Sequence, residues 1–264
     1  MCRGNGKKVF LLLFLQKKKI FFLFIYSQMH DSLHIAADRA ALATAVADWL
    51  ATRIAQGVGP TRIALSGGST PRDLFEKLAA PPYRDTIPWA RVELFWGDER
   101  FVPADHPESN YGMTRRALLD HIAIPAANIH PIPTDGTPAD AAARYEALLK
   151  RSYGAETLDP ARPLFDVVFL GLGEDGHTAS LIPGQAVLAE RSAWVAPVAQ
   201  GRPEIRITLT YPALESCRAA AFLVAGRGKA AICRAVREGR ADVPAAHLHP
   251  LGETLWFLDR AAAS

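Results

Sequence analysis

Short apolar runs alternate along the chain with longer segments in which apolar residues recur every three or four positions. Runs of about four to eight apolar residues beside glycine are typical of buried strands. Strands are predicted at 62–65, 92–96, 167–170, 193–198, 205–210, 219–225 and 254–258. Helical spacing predicts amphipathic helices at 35–56, 72–78, 139–153 and 230–237, with further helices beginning near Ser109 and Tyr211. This alternation predicts the α/β class, with a mostly parallel, Rossmann-like open sheet flanked by helices.

The most informative stretch runs from Phe165 to Gly184. Its apolar run predicts a fully buried strand, and the loop that follows carries three glycines together with Glu174, Asp175 and His177. Open α/β sheets place their sites outside the carboxyl ends of the strands, which is where these titratable side chains fall. We interpret the stretch as a catalytic loop; a surface loop capped by its own Asp and His is the alternative.

The glycines of this loop, Gly171, Gly173 and Gly176, also match the spacing of the dinucleotide-binding fingerprint. That fingerprint requires a long helix after the third glycine, with its N-terminus facing a pyrophosphate. Here Pro183 and Gly184 end the segment too early for such a helix, and no clear βαβ unit surrounds it. The sequence therefore argues against a nicotinamide or flavin site.

A second loop with candidate chemistry lies at positions 66–71, between the first predicted strand and the helix at 72–78. It reads SGGSTP, so two glycines precede Ser69 or Thr70 as the N-cap and a proline at the first helical position. No Gly-Lys-Ser/Thr follows, which excludes a Walker loop. Backbone N–H groups that converge at a helix N-terminus bind anions, so the loop is interpreted as a phosphate cradle. A tight, well-capped turn is the alternative.

Charged residues follow two more predicted strands. Asp98, Glu99 and Arg100 come directly after the second strand, and Lys229 follows a later one. Loops after parallel strands share one edge of the sheet, so we expect these residues to meet there. Arg100 and Lys229 would bind a phosphate, and Asp98, Glu99, Asp175 and His177 would serve proton transfer. A solvated charged turn and a flexible surface lysine are the alternatives.

The composition is that of a globular protein, with 264 residues, of which 49% are apolar and 22% charged. Its three cysteines are scattered without CxxC spacing. This pattern argues against a disulfide framework and a structural zinc site, and it suits a reducing compartment. His247 and His249 have no third ligand nearby, so no metal site is predicted.

The first 28 residues differ from the rest of the chain. They hold six lysines or arginines and no acid, and removing these charges turns the net charge of +3 into −3 for residues 29–264. No nucleic-acid surface is therefore predicted. Lysines split the two apolar runs of this leader, so neither is expected to span a membrane. A signal peptide is one interpretation, but no small-x-small cleavage site follows. We expect an extension at 1–28, a natural start at Met29 and a single domain at 29–264.

Four groups of motifs together resemble one known family. They are LSGGSTP, WGDERFVP with the later SNYGM, GLGEDGHTASLIPG, and RITLT with AGRGKA, and the resemblance covers nearly all of residues 31–259. The family is that of the glucosamine-6-phosphate isomerases and 6-phosphogluconolactonases. The resemblance implies a sugar-phosphate isomerase-like α/β fold and hydrolysis of 6-phospho-D-glucono-1,5-lactone to 6-phosphogluconate in the oxidative pentose phosphate pathway. It also implies that neither a metal nor an organic cofactor is used.

The same resemblance implies roles for individual residues. His177 is expected to be the general base that activates water, and Asp175 or Asp98 is expected to orient it or to contact substrate hydroxyls. A loop N–H group or Arg100 is expected to stabilise the oxyanion. The residues expected to bind the substrate are Gly67, Gly68, Ser69, Thr70, Arg100, Asn110, Arg206 and Lys229.

Two other functions stay open at this point. One is an amino-sugar phosphate deaminase or isomerase on the same fold, and the other is a non-catalytic sugar-phosphate sensor. The GDER sequence and the HTASLIPG continuation favour the lactonase, and no basic helix-turn-helix segment of the kind that commonly accompanies a sensor domain is found. We expect a monomeric, cytoplasmic protein that binds a phosphosugar lactone and neither nucleic acid nor, for residues 29–264, a membrane.

Overall fold

The computed structural model describes residues 31–264 of the chain. The predicted extension at 1–28 and the expected start at Met29 lie outside these residues. The strands of the described part are β1 (Asp31–Ala36), β2 (Thr61–Leu65), β3 (Val92–Trp96), β4 (Asp98–Arg100), β5 (Ile129–His130), β6 (Val167–Leu170), β7 (Val195–Val198), β8 (Arg206–Leu209), β9 (Ala219–Val224) and β10 (Glu253–Asp259). Its α-helices are α1 (Arg39–Gln56), α2 (Ser69–Leu78), α3 (Tyr83–Thr86), α4 (Asn110–Ala117), α5 (Pro138–Tyr153), α6 (Tyr211–Glu215), α7 (Ala230–Arg237) and α8 (Arg260–Ala263). None of these helices is long and apolar enough to cross a membrane.

Seven strands form one sheet in the order β1-β10-β9-β6-β2-β3-β5, and every neighbouring pair is parallel. Helices flank this sheet, with α1 packed against α2 and β10. The predicted fold class is confirmed. The chain runs from β2 to β3 and β5 on one side, and then crosses to β6 on the other side of β2. The strand order therefore reverses between β2 and β6, which is where open α/β sheets bind their ligands.

The apolar runs become fully buried strands near the middle of the sheet. All four residues of β6 and all six of β9 are buried. A strand that is covered on both faces has no solvent side, so its apolar residues run continuously instead of alternating. This is why the sequence pattern located both strands, although each is only a few residues long.

A second, smaller sheet is antiparallel and has the strand order β4-β8-β7. Only Gly97 separates β3 in the large sheet from β4 in the small one. Its backbone is fixed by two partners, because Gly97 N donates to Leu65 O at 2.8 Å and Gly97 O accepts from Leu209 N at 2.8 Å. The prediction of a loop at Asp98–Arg100 was wrong, since pairing with the distant β8 extends these residues as a strand.

Two helix starts also differ from the prediction. The segment expected to be helical from 35 contains the end of β1, and α1 begins only after Asp38, whose carboxylate accepts a hydrogen bond from Ala41 N at 2.8 Å. β1 pairs along its whole length with β10, a contact that local periodicity does not reveal. Helix α2 begins at Ser69 with Gly68 as the N-cap, so the predicted cap at Ser69 or Thr70 was wrong.

The carboxyl end of β3 is tied to helix α5 by one buried tyrosine. The hydroxyl of Tyr145 accepts from Trp96 N at 2.9 Å and donates to Trp96 O at 3.1 Å. Burial raises the pKa of this phenol well above its usual range, and a backbone hydrogen bond opposes the shift only in part. The hydroxyl therefore stays protonated and replaces a strand partner at the point where the chain leaves the large sheet.

Candidate active site

A cavity of about 260 Å³ opens at the carboxyl edge of the large sheet, around the switch point between β2 and β6. The segments that follow β2, β3, β6 and β9 meet there, as expected for neighbouring parallel strands. The predicted site residues that line it are Gly67, Gly68, Ser69, Thr70, Asp98, Arg100, Asn110, His177, Arg206 and Lys229. Asp175 does not line the cavity itself and is connected to it through His177.

His177 is held by a carboxylate and by a guanidinium. Its Nδ1 atom lies 2.5 Å from Asp175 Oδ1, and the backbone N–H of His177 donates to the same oxygen at 3.2 Å. Arg202 Nη2 donates to Asp175 Oδ2 at 2.6 Å and lies 3.0 Å from His177 Nδ1. Gly173 makes this packing possible, because a Cβ atom there would collide with the imidazole of His177 and the carboxylate of Asp175.

The Asp175 carboxylate is kept in its charged form by these neighbours. Partial burial acts to raise its pKa, but hydrogen bonds from Arg202 and His177 outweigh burial and hold the pKa well below its ordinary value. An ionised carboxylate only accepts hydrogen bonds. The ring atom that faces it, Nδ1, is therefore the donor, and in the neutral imidazole the lone pair is then on Nε2.

Asp98 has other partners. Its Oδ2 atom accepts a hydrogen bond from Ser180 Oγ at 2.6 Å and lies 3.8 Å from Arg206 Nη1, and its backbone carbonyl accepts from Asn110 Nδ2 at 2.9 Å. Within residues 31–264, no hydrogen bond joins Asp98 to His177. Of the two predicted carboxylates, Asp175 is the one that contacts the imidazole.

Glu99 was expected among the groups for proton transfer, and that expectation was wrong. Glu99 is 1% exposed and does not line the cavity. Its carboxylate lies at the N-terminus of α4, where it accepts from the backbone N–H groups of Arg100, Asn110 and Tyr111 at 2.7 Å each and from Ser109 Oγ at 3.2 Å. Burial raises its pKa, although these backbone donors oppose the shift. Glu99 therefore caps a helix beside the site.

The N-terminus of α2 opens into the cavity, as the phosphate-cradle interpretation requires. Gly68 has a φ of +99°, a left-handed conformation that favours glycine, and no side chain caps the helix. The backbone N–H groups of Ser69 and Thr70 donate to no acceptor in the described part of the protein. Asn110 packs directly onto Gly67, where a Cβ atom would collide with its amide. These donors are free to bind an anion.

Two arginines face each other across the small sheet. Arg100 of β4 and Arg206 of β8 are a directly opposite antiparallel pair, and both line the cavity. Like charges in such a pair repel each other. Each residue also has a buried Nε atom without a hydrogen-bond partner among residues 31–264, and burial lowers the pKa of Arg206. A bound anion would relieve the repulsion between the two guanidinium groups.

Two residues of the site were missed in the sequence. Ser180 lies inside the recognised HTASLIPG motif, so its place after the histidine was a usable signal for its contact with Asp98. Arg202 lies in the loop before β8, where neither periodicity nor a recognised motif marks it. Among residues 31–264, no cluster of three or more His, Cys, Asp or Glu side chains is placed to hold a metal ion.

The fold and the cavity together define an open-sheet α/β protein with an anion-binding pocket and a His–Asp pair at its switch point. The profile described as "Glucosamine-6-phosphate isomerases/6-phosphogluconolactonase" matches residues 37–256. The chain belongs to this family, and the resemblance found in the sequence is confirmed. A 6-phosphogluconolactonase from Nostoc sp. is 40% identical over 244 residues, which is 89% of this chain and 98% of that protein.

Solved structures agree with this assignment. The crystal structure of 6-phosphogluconolactonase from Thermotoga maritima superposes with a TM-score of 0.75 at 26% identity, covering 87% of this chain and 100% of that one. A monomeric glucosamine-6-phosphate deaminase superposes with a TM-score of 0.73 at 21% identity, covering 88% and 98%. At 21% identity, the similarity to the deaminase shows the fold alone. The fold of the chain therefore does not distinguish a lactonase from a deaminase.

Proposed function

We propose that the protein hydrolyses 6-phospho-D-glucono-1,5-lactone to 6-phosphogluconate, the second step of the oxidative pentose phosphate pathway. The observation that carries the proposal is the cavity in which His177, bonded to Asp175 behind it, lies beside two arginines, a lysine and a helix N-terminus. A base next to an anion cradle suits a substrate with a phosphate at one end and a lactone carbonyl at the other. The names of the curated relatives support the same reaction.

In the proposed mechanism, His177 Nε2 takes a proton from a water molecule as the water oxygen attacks the lactone carbonyl carbon. Asp175 accepts the Nδ1 hydrogen bond and stabilises the imidazolium that forms. The tetrahedral intermediate then collapses, the bond from the carbonyl carbon to the ring oxygen breaks, and that oxygen receives the proton from His177. The product is the open-chain acid, and no covalent enzyme intermediate is needed.

The phosphate is proposed to bind Arg206, Lys229 and the backbone N–H groups at Gly68 to Thr70. Arginine holds phosphate through a planar fork, whereas lysine acts as a point charge. Arg100 lies opposite Arg206 and serves either the phosphate or the oxyanion. The variant Arg100→Ala separates these roles: a raised KM at constant kcat assigns it to the phosphate, and a lowered kcat at constant KM assigns it to the oxyanion.

The experiment that tests the proposal compares two activities of the full-length protein. The lactone is generated in place from glucose 6-phosphate by its dehydrogenase, and 6-phosphogluconate is measured against the spontaneous rate of ring opening. Ammonia release from glucosamine 6-phosphate is measured in parallel. Clear acceleration of lactone opening without ammonia release supports the lactonase. Ammonia release establishes the deaminase, and a ligand-induced thermal shift without any turnover establishes a sensor.

The proposal includes a monomer that works in the cytoplasm without a metal or an organic cofactor. The reducing compartment is supported by the scattered cysteines, of which Cys217 and Cys233 are buried and not joined to each other. Light scattering of the purified protein tests the monomer. Activity that survives exhaustive dialysis against a chelator tests the independence from metal.

A further inference from the structure

Arg202 contacts both members of the His177–Asp175 pair and has no role in the motifs described above. It lies in the loop between β7 and β8, directly after Gly201, whose φ of +86° lets the chain turn there. Its side chain is partly buried, with 28% of its surface exposed, whereas the residues on either side, Gly201 and Pro203, are exposed. The loop thus turns one long side chain inward, toward the histidine.

The contacts divide the two oxygens of Asp175 between two partners. Oδ1 accepts from the ring and the backbone of His177, and Oδ2 accepts from Arg202 Nη2 at 2.6 Å. The other terminal nitrogen, Nη1, donates to the carbonyl of Gly201 at 2.9 Å. The guanidinium is therefore fastened to its own loop at one end and to the carboxylate at the other, which fixes the rotation of the carboxylate plane.

A guanidinium has only donors, and this determines what Arg202 does to the imidazole. Its Nη2 atom, 3.0 Å from His177 Nδ1, cannot accept a proton from the ring. The Asp175 carboxylate is therefore the acceptor for the Nδ1 proton. A carboxylate rotated away would leave Nδ1 without this acceptor, and the ring could then take the tautomer with the proton on Nε2. That tautomer has no lone pair on the nitrogen proposed to act as the base. The fixed carboxylate prevents this change.

We propose that Arg202 is a positioning residue of the lactonase reaction, which holds the Asp175 carboxylate so that His177 keeps its Nδ1 proton and its Nε2 lone pair. The inference rests on the proposed function. Arg202 does not line the cavity, and its guanidinium contacts Asp175 and His177 instead. Its loss is therefore expected to act on kcat and to leave KM nearly unchanged.

The first test compares Arg202→Ala and Arg202→Lys with the control Arg218→Ala. Arg218 forms an ion pair with Asp166 at 3.2 Å at the opposite edge of the sheet, so its loss removes a comparable contact outside the site. We expect Arg202→Ala to lose about tenfold in kcat, the scale of one hydrogen bond to a charged group, with KM changed less than about twofold. Arg202→Lys should regain part of the loss, and Arg218→Ala should match the wild type.

The second test asks whether Arg202 acts through Asp175. In an Asp175→Asn background, Arg202→Ala is expected to change kcat by less than about twofold, because the carboxylate that it positions is already gone. A full, multiplicative loss in the double variant would overturn the inference. So would an Arg202→Ala enzyme with the kcat of the wild type, or one whose loss lies entirely in KM.

A third measurement does not depend on turnover. In protein labelled with nitrogen-15 histidine, the imidazole nitrogen shifts of His177 should report the Nδ1–H tautomer in the wild type and a mixture in Arg202→Ala. Unchanged shifts in that variant would contradict the inference. If the wild type hydrolyses no lactone, the proposed function fails; if it does and Arg202→Ala is indistinguishable from it, only the role of Arg202 fails.

Discussion

Glu99 provides a sharp test, because the sequence pattern predicts a role in proton transfer whereas the structure shows a helix cap. In the structure its carboxylate is buried and accepts hydrogen bonds from three backbone N–H groups and one hydroxyl at the start of α4. The substitution Glu99→Gln preserves shape and replaces one acceptor oxygen by an NH₂ donor. The oxygen of the amide can keep two backbone donors, so the backbone N–H of Tyr111 loses its acceptor and faces another donor.

The expected magnitude follows from these contacts. One buried N–H group left without an acceptor costs about 1–3 kcal/mol. Burial raises the pKa of Glu99, so loss of its negative charge adds no further cost. The free energy of unfolding is therefore predicted to fall by about 1–3 kcal/mol, which for a domain of this size corresponds to a decrease in Tm of about 2–12 °C.

The assay is denaturant unfolding, followed by lactone turnover per folded molecule. The matched control is Glu93→Gln, whose carboxylate bonds Arg62 at 3.2 Å on a partly exposed surface and should change stability by less than about 1 kcal/mol. We expect Glu99→Gln to be clearly less stable and to keep at least about a tenth of its turnover. An unchanged stability with a loss of turnover above about 100-fold would refute this reasoning and return Glu99 to proton transfer.

Three further variants test the packing of the site. Gly173→Ala should lower kcat by about 100-fold or more, because its Cβ would displace His177 from the carboxylate of Asp175. The control Gly171→Ala should keep most of its activity, because its Cβ would meet only one atom, at 3.8 Å. Equal losses in the two variants would contradict this. Gly67→Ala should raise KM, because the added Cβ would push the amide of Asn110 out of the cavity wall; wild-type kinetics would disprove that contact. Arg206→Ala should raise KM by about 10–100-fold and weaken competitive inhibition by inorganic phosphate. Arg218→Ala should do neither. Undiminished inhibition by phosphate in the Arg206 variant would exclude Arg206 from the anion site.

The position of the site could be predicted from the sequence because it depends on local features. The strands β2, β3, β6 and β9 are mostly buried and apolar, and each is followed within two residues by a glycine. Parallel strands deliver such ends to a common edge, and the structure places these four strands side by side. The convergence of His177, Arg100 and Lys229 on one cavity was therefore predictable without any knowledge of their contacts.

The missed features depend on contacts between distant parts of the chain. β1 pairs with β10, more than two hundred residues away, and its exposed Ile35 was assigned to the amphipathic helix that follows. β4 is too short to be recognised without its partner β8. Sequence pattern placed Glu99 shortly after β3 but in a loop, and it did not give the direction of the side chain, which three backbone donors of the following segment determine.

The most direct test of the central claim is the lactone turnover of His177→Asn beside that of His247→Asn. The control is well matched, because His247 lies 2.6 Å from the carboxylate of Asp242 on the exposed surface and does not line the cavity. We predict that His177→Asn loses at least about 100-fold in kcat with KM changed less than about threefold, and that His247→Asn behaves as the wild type. A His177→Asn enzyme with normal kcat would contradict the assignment of His177 as the base.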